Sequence, residues 1–158
     1  MRSGWKGLLA VVFLVGAAQG VYAKCGDNPG DEQAVIDARN QVATDCDCAG
    51  STNHGTFVKC AAGVANTRAG NNQLPKNCKG AVKKCAAHSA CGKIASGAVT
   101  CCITKNAKTK CKIAKDASTC TTKGGHPTMD PTNTSCCSNT HPLTADSCTA
   151  SPSGAFLQ

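Results

Sequence analysis

The cysteines of this 158-residue chain constrain its fold more than any other feature. There are 14 of them, an even number, and all lie downstream of a hydrophobic leader. In an oxidising compartment such a set predicts a disulfide framework, in which each native bridge contributes about 2 to 5 kcal/mol. The spacing does not choose among the many possible pairings. The predicted half-cystines are Cys25, Cys46, Cys48, Cys60, Cys78, Cys85, Cys91, Cys101, Cys102, Cys111, Cys120, Cys136, Cys137 and Cys148.

The leader sets the compartment in which these cysteines are interpreted. Arg2 and Lys6 precede an apolar stretch at 8–18, and the small residue Ala23 closes the segment. This order is typical of a secretory signal peptide. The apolar stretch is about half as long as the roughly twenty residues that a membrane-spanning helix needs. We therefore expect cleavage after Ala23 and a mature chain, 24–158, that is secreted or periplasmic.

The predicted mature chain has few large apolar side chains from which to build a core. Its aromatic residues are Phe57 and Phe156, and its larger aliphatic residues are sparse. Burial of one large side chain contributes about 1.5 to 3 kcal/mol, whereas ordering each residue costs about 1 to 2 kcal/mol of backbone entropy. Disulfides must therefore supply much of the stability.

The spacing of the cysteines also excludes several kinds of site. No two cysteines lie three positions apart, so the chain lacks a C-x-x-C motif. This absence excludes thioredoxin-type redox motifs, haem attachment through C-x-x-C-H and the commonest zinc-finger spacings. Adjacent cysteines bond to each other only with backbone strain. We therefore expect each adjacent pair, Cys101-Cys102 and Cys136-Cys137, to send its bridges in two directions.

Apolar periodicity predicts three helices followed by a hairpin. The helices lie at 29–44, at about 56–69 and after Pro75. Alternation of apolar and polar residues then predicts two strands, with Cys101 opposite Cys111 and a loop at 104–108. The cystines are expected to hold the inward faces of the helices together.

The chain beyond residue 120 is rich in Thr, Ser, Pro and Gly, which predicts an irregular tail held by its cysteines. The predicted fold class is a small disulfide-rich α+β fold with about three short helices, one β-hairpin and an irregular disulfide-pinned C-terminal tail. Its predicted parts are a signal peptide at 1–23, a disulfide-rich helical plus hairpin domain at 24–120, and a disulfide-stapled tail at 121–158.

Charge is distributed unevenly along the predicted mature chain. Residues 24–47 carry −4, residues 49–115 carry +12 without an acidic residue, and residues 116–158 carry −2. The basic middle predicts a surface for polyanions such as nucleic acid, anionic lipid or acidic glycan. The alternative is a solvated surface that the acidic ends partly neutralise. The candidate polyanion-binding residues are Lys76, Lys79, Lys83, Lys84, Lys105, Lys108, Lys110, Lys112 and Lys115.

One group of residues has ligands suited to a metal ion. Cys46, Cys48, His54 and Cys60 lie close together in the sequence and offer thiolates and an imidazole. Exported thiols are usually oxidised, so disulfide bonding and an incidental histidine explain the same group without a metal. We therefore expect no metal site and no cofactor.

A second histidine lies in the segment Cys85-Ala-Ala-His88-Ser-Ala-Cys91. Its C-x-x-H-x-x-C spacing resembles the active-site helix of secreted calcium-dependent phospholipases of the A-two type. The calcium-binding Asp that follows the histidine in that family is Ser89 here, and its second adjacent cysteine is Lys84. No glycine-rich calcium loop lies upstream, so His88 lacks the cation that would stabilise an oxyanion.

A longer series of motifs extends over about residues 25–137. It comprises Asp45-Cys46-Asp47-Cys48-Ala49, Asn53-His54-Gly55, Val58-Lys59-Cys60, Leu74-Pro75, Cys78-Lys79-Gly80, Cys85-Ala86-Ala87, Cys91-Gly92-Lys93 and Val99-Thr100-Cys101-Cys102. This order resembles a group of uncharacterised secreted cysteine-rich bacterial proteins. The resemblance implies export from a bacterium and a shared disulfide framework. It implies no activity, ligand or site residue.

Together these features favour a secreted, disulfide-stabilised, noncatalytic binding or structural protein whose lysine-rich middle contacts polyanions. The alternative is a secreted hydrolase or metal-dependent protein that uses His54 or His88. A toxin or antimicrobial protein acting on anionic membranes agrees with the charge. It agrees poorly with the lack of an aromatic or amphipathic face.

Overall fold

The computed structural model describes residues 23–127, 135–137 and 148. It confirms the predicted small disulfide-rich α+β fold, while the predicted leader and most of the predicted tail lie outside the described residues. The described helices are α1 (Asp31–Asp45), α2 (His54–Gly70), α3 (Lys79–Ala87) and α4 (Ala117–Thr122), with 3-10 turns at Lys76–Cys78 and Ile94–Ser96. The described strands are β1 (Val99–Lys105), β2 (Lys108–Ala114) and β3 (Gly125–Pro127).

The first helix begins two residues later than the sequence predicts. Gly30 has a φ of 90°, in the left-handed region, so the α-helix begins only at Asp31. The buried carboxylate of Asp31 accepts hydrogen bonds from the backbone N–H groups of Gly26 at 2.9 Å and Asn28 at 3.4 Å. This carboxylate therefore attaches the segment before the helix to the start of α1.

The second helix begins at an asparagine cap. The side chain of Asn53 accepts a hydrogen bond from the backbone N–H of Thr56 at 3.0 Å, which satisfies one of the unpaired donors at the helix start. The buried face of α2, which contains Phe57 and Ala61, packs with α1 and α3 in one core cluster. Leu74, Val35 and Val82 are the largest fully buried side chains of that cluster.

All 14 cysteines form disulfides, and none is free. The bridges join Cys25 to Cys78, Cys46 to Cys60, Cys48 to Cys91, Cys85 to Cys137, Cys101 to Cys120, Cys102 to Cys148 and Cys111 to Cys136. The first three cross-link the helices and their connections. The prediction for the adjacent pairs is confirmed, because both members of each pair bond to different parts of the chain.

The predicted hairpin forms, but its predicted register was wrong by one residue. Cys102, not Cys101, lies opposite Cys111. The reason is the turn, which consists of Asn106 and Ala107 with φ values of 52° and 59°. Two successive left-handed residues make the tight type I′ turn that suits the twist of a hairpin, so the five-residue loop does not form. A shift of one residue in the register changes which side chains of β1 lie on the same face as which side chains of β2.

Two elements extend this hairpin beyond the prediction. The strand β3 pairs antiparallel with β1, so that the sheet has the order β2-β1-β3. The short helix α4 crosses the predicted domain boundary at residue 120 and is bonded to β1 through Cys120 and Cys101. These cysteines form a second core cluster with Ala114, against which Val99 and Ile103 pack.

The tripeptide 135–137 connects the helices to the sheet. Cys136 is bonded to Cys111 of β2, and Cys137 is bonded to Cys85 of α3. The backbone N–H of Cys136 also donates a hydrogen bond to the carbonyl oxygen of His88 at 2.9 Å. Two adjacent residues therefore link α3 to β2 covalently.

The cap of α4 predicts a pH dependence of stability at acid pH. The carboxylate of Asp116 accepts hydrogen bonds from the N–H of Thr119 at 2.6 Å and from the hydroxyl of Ser118 at 2.8 Å. The backbone hydrogen bond of Thr119 is the largest cause that lowers the pKa of Asp116 to about 2, followed by the side-chain hydrogen bonds. Because this folded-state pKa lies below the unfolded value, the stabilisation is complete above pH 4 and is lost as the pH falls through about 2.

Asp116→Asn is the matched variant for this effect, because asparagine keeps an N-cap oxygen but does not titrate. In denaturant unfolding measured from about pH 5 to about pH 2, we expect the wild-type protein to lose stability more steeply than Asp116→Asn. Parallel pH profiles would contradict the assignment of this pH dependence to Asp116.

Candidate polyanion-binding face

Four lysines of the hairpin converge on one concavity of about 410 Å³. Its lining residues are Ile103, Lys105, Asn106, Lys108, Lys110 and Lys112. We call this surface the hairpin lysine face. All four lysines are exposed, and Ile103 is half-buried.

The observed register brings these side chains together. Lys105 lies opposite Lys108, and Ile103 lies opposite Lys110. Alternate residues of a strand share one face, so Lys112 lies on the same face as Lys108 and Lys110. In the predicted register, Ile103 would instead share a face with Cys111. The hairpin lysine face therefore exists because the tight turn sets this pairing.

In the part of the chain that the structure describes, the elements that carry this face hold more positive than negative charge. None of the three strands contains an acidic residue, and neither do the connecting turn and α4. The carboxylate of Asp116 follows β2 closely in the sequence, caps α4 and keeps its negative charge, so it offsets part of the positive charge only at the Lys112 end. The local potential is therefore positive, which favours anions from solution.

Two of the lysines are placed unfavourably for folding alone. Lys105 and Lys108 are directly opposite each other across the hairpin, an arrangement in which like charges destabilise a sheet. Lysines on an edge strand discourage pairing with other chains, which explains lysines on β2 without any ligand. The same explanation extends to Lys105, because β3 pairs with β1 only at residues 101–103. A bound anion would relieve the repulsion between these two lysines.

The other predicted lysines lie elsewhere. Lys76 belongs to the 3-10 turn before α3, and Lys79, Lys83 and Lys84 belong to α3 itself. Lys115 is exposed just beyond β2 but does not line the concavity. The structure therefore gathers four of the nine candidate lysines on one face. The remaining lysines provide natural controls of equal charge.

Ile103 and Asn106 line the concavity but were not predicted as site residues from the sequence. The signal for the face was present in the period-two spacing of Lys108, Lys110 and Lys112, which places three lysines on one side of a strand. No sequence signal placed Ile103 on that side, because its position depends on the register.

The ring of His54 lies between two backbone carbonyl oxygens, one at the end of α3 and one just beyond it. Its Nδ1 lies 2.9 Å from the carbonyl oxygen of Cys91, and its Nε2 lies 3.2 Å from that of Ala87. His54 is the first residue of α2, whereas Ala87 is the last residue of α3. The ring therefore attaches the start of one helix to the end of the other.

The cysteines of the candidate metal group are engaged in other bonds. Cys46 and Cys60 are bonded to each other, and Cys48 is bonded to Cys91. A thiolate is the form of cysteine that ligates a metal, and a cystine offers none. The same reason applies to a second group, Cys25, Asp31 and Cys78, whose two cysteines form a disulfide.

His88 lies just after α3, on an exposed position. The cysteines that flank it bond outward, Cys85 to Cys137 and Cys91 to Cys48. The buried hydroxyl of the next residue, Ser89, donates a hydrogen bond to the carbonyl oxygen of Ala86 at 2.7 Å. This histidine is therefore at a helix end, whereas the phospholipase motif that it resembles lies within a helix.

No protein-family model matches the chain, and no curated protein and no solved structure is similar to it. The resemblance to secreted bacterial proteins therefore stays a prediction. Within the described part of the chain, no helix combines the length and the apolar composition that a membrane crossing requires.

Proposed function

We propose that this protein is an exported, disulfide-stabilised, noncatalytic binding protein that holds polyanions on the hairpin lysine face. The observation that carries the proposal is the convergence of four lysines on one concavity. The acid-free sheet and the opposition of Lys105 and Lys108 support it, because both leave positive charge that an anion would neutralise. No contact described for His54 or His88 favours a catalytic role.

Rigidity supports the same proposal. The strand β2 is bonded to residue 136, and β1 is bonded to α4 and to residue 148. Cross-links on both strands fix the backbone positions from which the lysine side chains extend before any ligand arrives. Preorganisation of this kind lowers the entropy cost of binding.

Retention on an immobilised polyanion tests the proposal. The variant Lys108→Gln/Lys110→Gln/Lys112→Gln removes the row on β2, and Lys76→Gln/Lys79→Gln/Lys84→Gln removes the same charge from the α3 region. We expect the hairpin variant to elute at a clearly lower salt concentration than the wild-type protein, because each lost phosphate or sulfate contact weakens the electrostatic binding. We expect the control variant to elute close to the wild-type protein. Equal shifts for the two variants would contradict a defined face and indicate attraction by net charge alone.

The signal-peptide pattern of the leader supports export with cleavage after Ala23. The backbone N–H of Lys24 donates a hydrogen bond to the carboxylate of Asp27 at 2.5 Å. Cleavage would convert this backbone N–H into a charged ammonium group that the same carboxylate can bind. We therefore propose that the mature protein begins at Lys24, in a compartment where disulfides persist.

The intact mass of the secreted protein tests this second part of the proposal. We expect a chain that begins at Lys24 and gains about 14 Da on full reduction, because each of its disulfides takes up two hydrogen atoms. Retention of residues 1–23 in the exported protein would contradict cleavage after Ala23. A smaller mass gain would show that thiols are free in the native state.

A further inference from the structure

We infer that the hairpin lysine face binds a linear chain of linked phosphate groups, which lies lengthwise along β2. The inference rests on the proposed polyanion binding and specifies the shape and the chemistry of the ligand. Four observations carry it: the linear order of the lysines, the closed end of the row, the half-buried Ile103 between them, and the lack of an aromatic surface.

The lysines form a row and not a broad patch. Lys108, Lys110 and Lys112 follow one another at alternate positions of β2, so that neighbours are about 6.7 Å apart and the row is about 13 Å long. On β1, Ile103 lies opposite Lys110, and Cys101, which is bonded to Cys120, lies opposite Lys112. Lys105 therefore adds a second charge only at the turn. A compact anion would reach only part of such a row, whereas an extended chain with regularly repeated charges contacts all of it.

One end of the row is closed and the other is open. At the Lys112 end, α4 is bonded to β1 through Cys120, and its capping carboxylate belongs to Asp116, two residues beyond the end of β2. A negative charge there repels an anionic chain that would continue past the strand. At the other end, the turn of Asn106 and Ala107 is exposed. The ligand is therefore expected to fill the length of β2 and to leave the protein at the turn.

The shape of the face argues against a lipid surface. Peripheral binding to a membrane combines positive charge with apolar side chains that enter the bilayer. The apolar side chain here is Ile103, which is half-buried in the floor of the concavity and lies opposite Lys110. Lysines that surround a recessed apolar residue suit a chain lying in the concavity better than a flat headgroup plane.

The composition of the face argues against recognition of bases or sugars. Nucleobases bind by stacking on aromatic side chains, and each stacked base contributes strongly to affinity. Among the residues that the structure describes, Phe57 is the one Phe, Trp or Tyr residue, and it is 5% exposed within the helical core. His126 of β3 pairs with Cys102, whose side chain lies on the face opposite to Ile103. Lysine ammonium groups act as point charges on phosphate. Linked phosphates without bases or sugars therefore match what the face offers.

Binding of defined polyphosphates to the full-length mature protein tests the inference. The probes are inorganic tripolyphosphate, longer linear polyphosphates and cyclic trimetaphosphate, measured by calorimetry. We expect the affinity for linear chains to rise with length until the chain spans the row, and the cyclic compound to bind weakly. With three or four phosphate contacts, affinity for the long chain should fall roughly 20- to 50-fold between about 50 and 200 mM salt.

Single substitutions in the row assign this binding to β2. Lys110→Gln removes the central charge and should reduce the magnitude of the salt slope by about 0.7, whereas Lys110→Arg keeps the charge and should retain binding. Lys84→Gln on α3 is the matched control, because Lys84 is exposed like Lys110, and it should leave both the affinity and the slope unchanged. An equal effect of Lys84→Gln and Lys110→Gln would overturn the placement on β2.

Competing ligands separate the inference from the proposed function. Equal binding of cyclic and linear phosphates would overturn the inference, as would tighter binding of oligothymidylate, of a sulfated glycan, or of vesicles made of phosphatidylcholine and phosphatidylserine. If that binding still depended on Lys108, Lys110 and Lys112, the proposed polyanion-binding function would stand. If no polyanion bound in a way that depended on these lysines, both would be overturned.

Discussion

Gly92→Ala is expected to destabilise the protein by about 2 to 5 kcal/mol. Gly92 has a φ of +71°, and a Cβ atom there would lie 2.5 Å from the backbone carbon and oxygen of Asn53 and 2.7 Å from the backbone nitrogen of His54. The left-handed conformation alone costs an L-residue about 1 to 2 kcal/mol. Overpacking against atoms that cannot move aside adds about 1 to 3 kcal/mol.

The atoms that the new methyl group would meet belong to the cap of α2. Asn53 caps that helix, and the backbone N–H of Gly92 donates a hydrogen bond to the carbonyl oxygen of Cys48 at 2.8 Å. The neighbouring residue, Cys91, is held both by its disulfide to Cys48 and by the ring of His54. Because these restraints leave little room for adjustment, the clash is expected to separate the start of α2 from the chain after α3.

Gly97→Ala is the matched control for this prediction. Gly97 has a φ of +81°, but a Cβ atom there would have no neighbour within 4 Å. Its replacement should therefore cost only the conformational part, about 1 to 2 kcal/mol. Denaturant unfolding of the two oxidised variants measures both values. Equal losses would show that the close approach to α2 does not contribute.

Removal of the Cys25–Cys78 bridge by paired serine substitutions is expected to cost about 4 kcal/mol. The bridge joins residues 53 positions apart, so its loss returns a large amount of conformational freedom to the unfolded chain. The Cys46–Cys60 bridge closes a separation of only 14 residues and provides the comparison, with an expected loss of about 3 kcal/mol. Denaturant unfolding measures both losses.

Hydrogen exchange shows where the first loss acts. Without the Cys25–Cys78 bridge, the segment before α1 loses its covalent link to the turn before α3. It is then held in place by noncovalent contacts, including the hydrogen bond from the N–H of Gly26 to the carboxylate of Asp31. We expect the amide of Gly26 to lose protection in this variant and to keep it when Cys46 and Cys60 are replaced. A larger loss of stability in the Cys46–Cys60 variant would contradict the chain-entropy explanation.

The helices could be predicted because their information is local. Apolar periodicity indicated α1, α2 and α3, and Asn53 and Gly30 then set where two of them begin. The divergence of the adjacent cysteines was also predictable, because neighbouring residues rarely satisfy disulfide geometry. The helix α4 was missed since its six residues are Ala, Ser, Thr and Cys without an apolar period, and a side-chain cap and a disulfide hold it in place.

By itself, the sequence determined the disulfide-rich class of the fold, the three main helices, two alternating strands and the basic middle of the chain. Only the tertiary structure decided which cysteines pair and which lysines meet. The reason is that a two-residue left-handed turn at Asn106 and Ala107 sets the strand register, and a shift of one residue exchanges the faces. The row of lysines on β2 is a local pattern, but its convergence with Lys105 and Ile103 is a property of the folded hairpin.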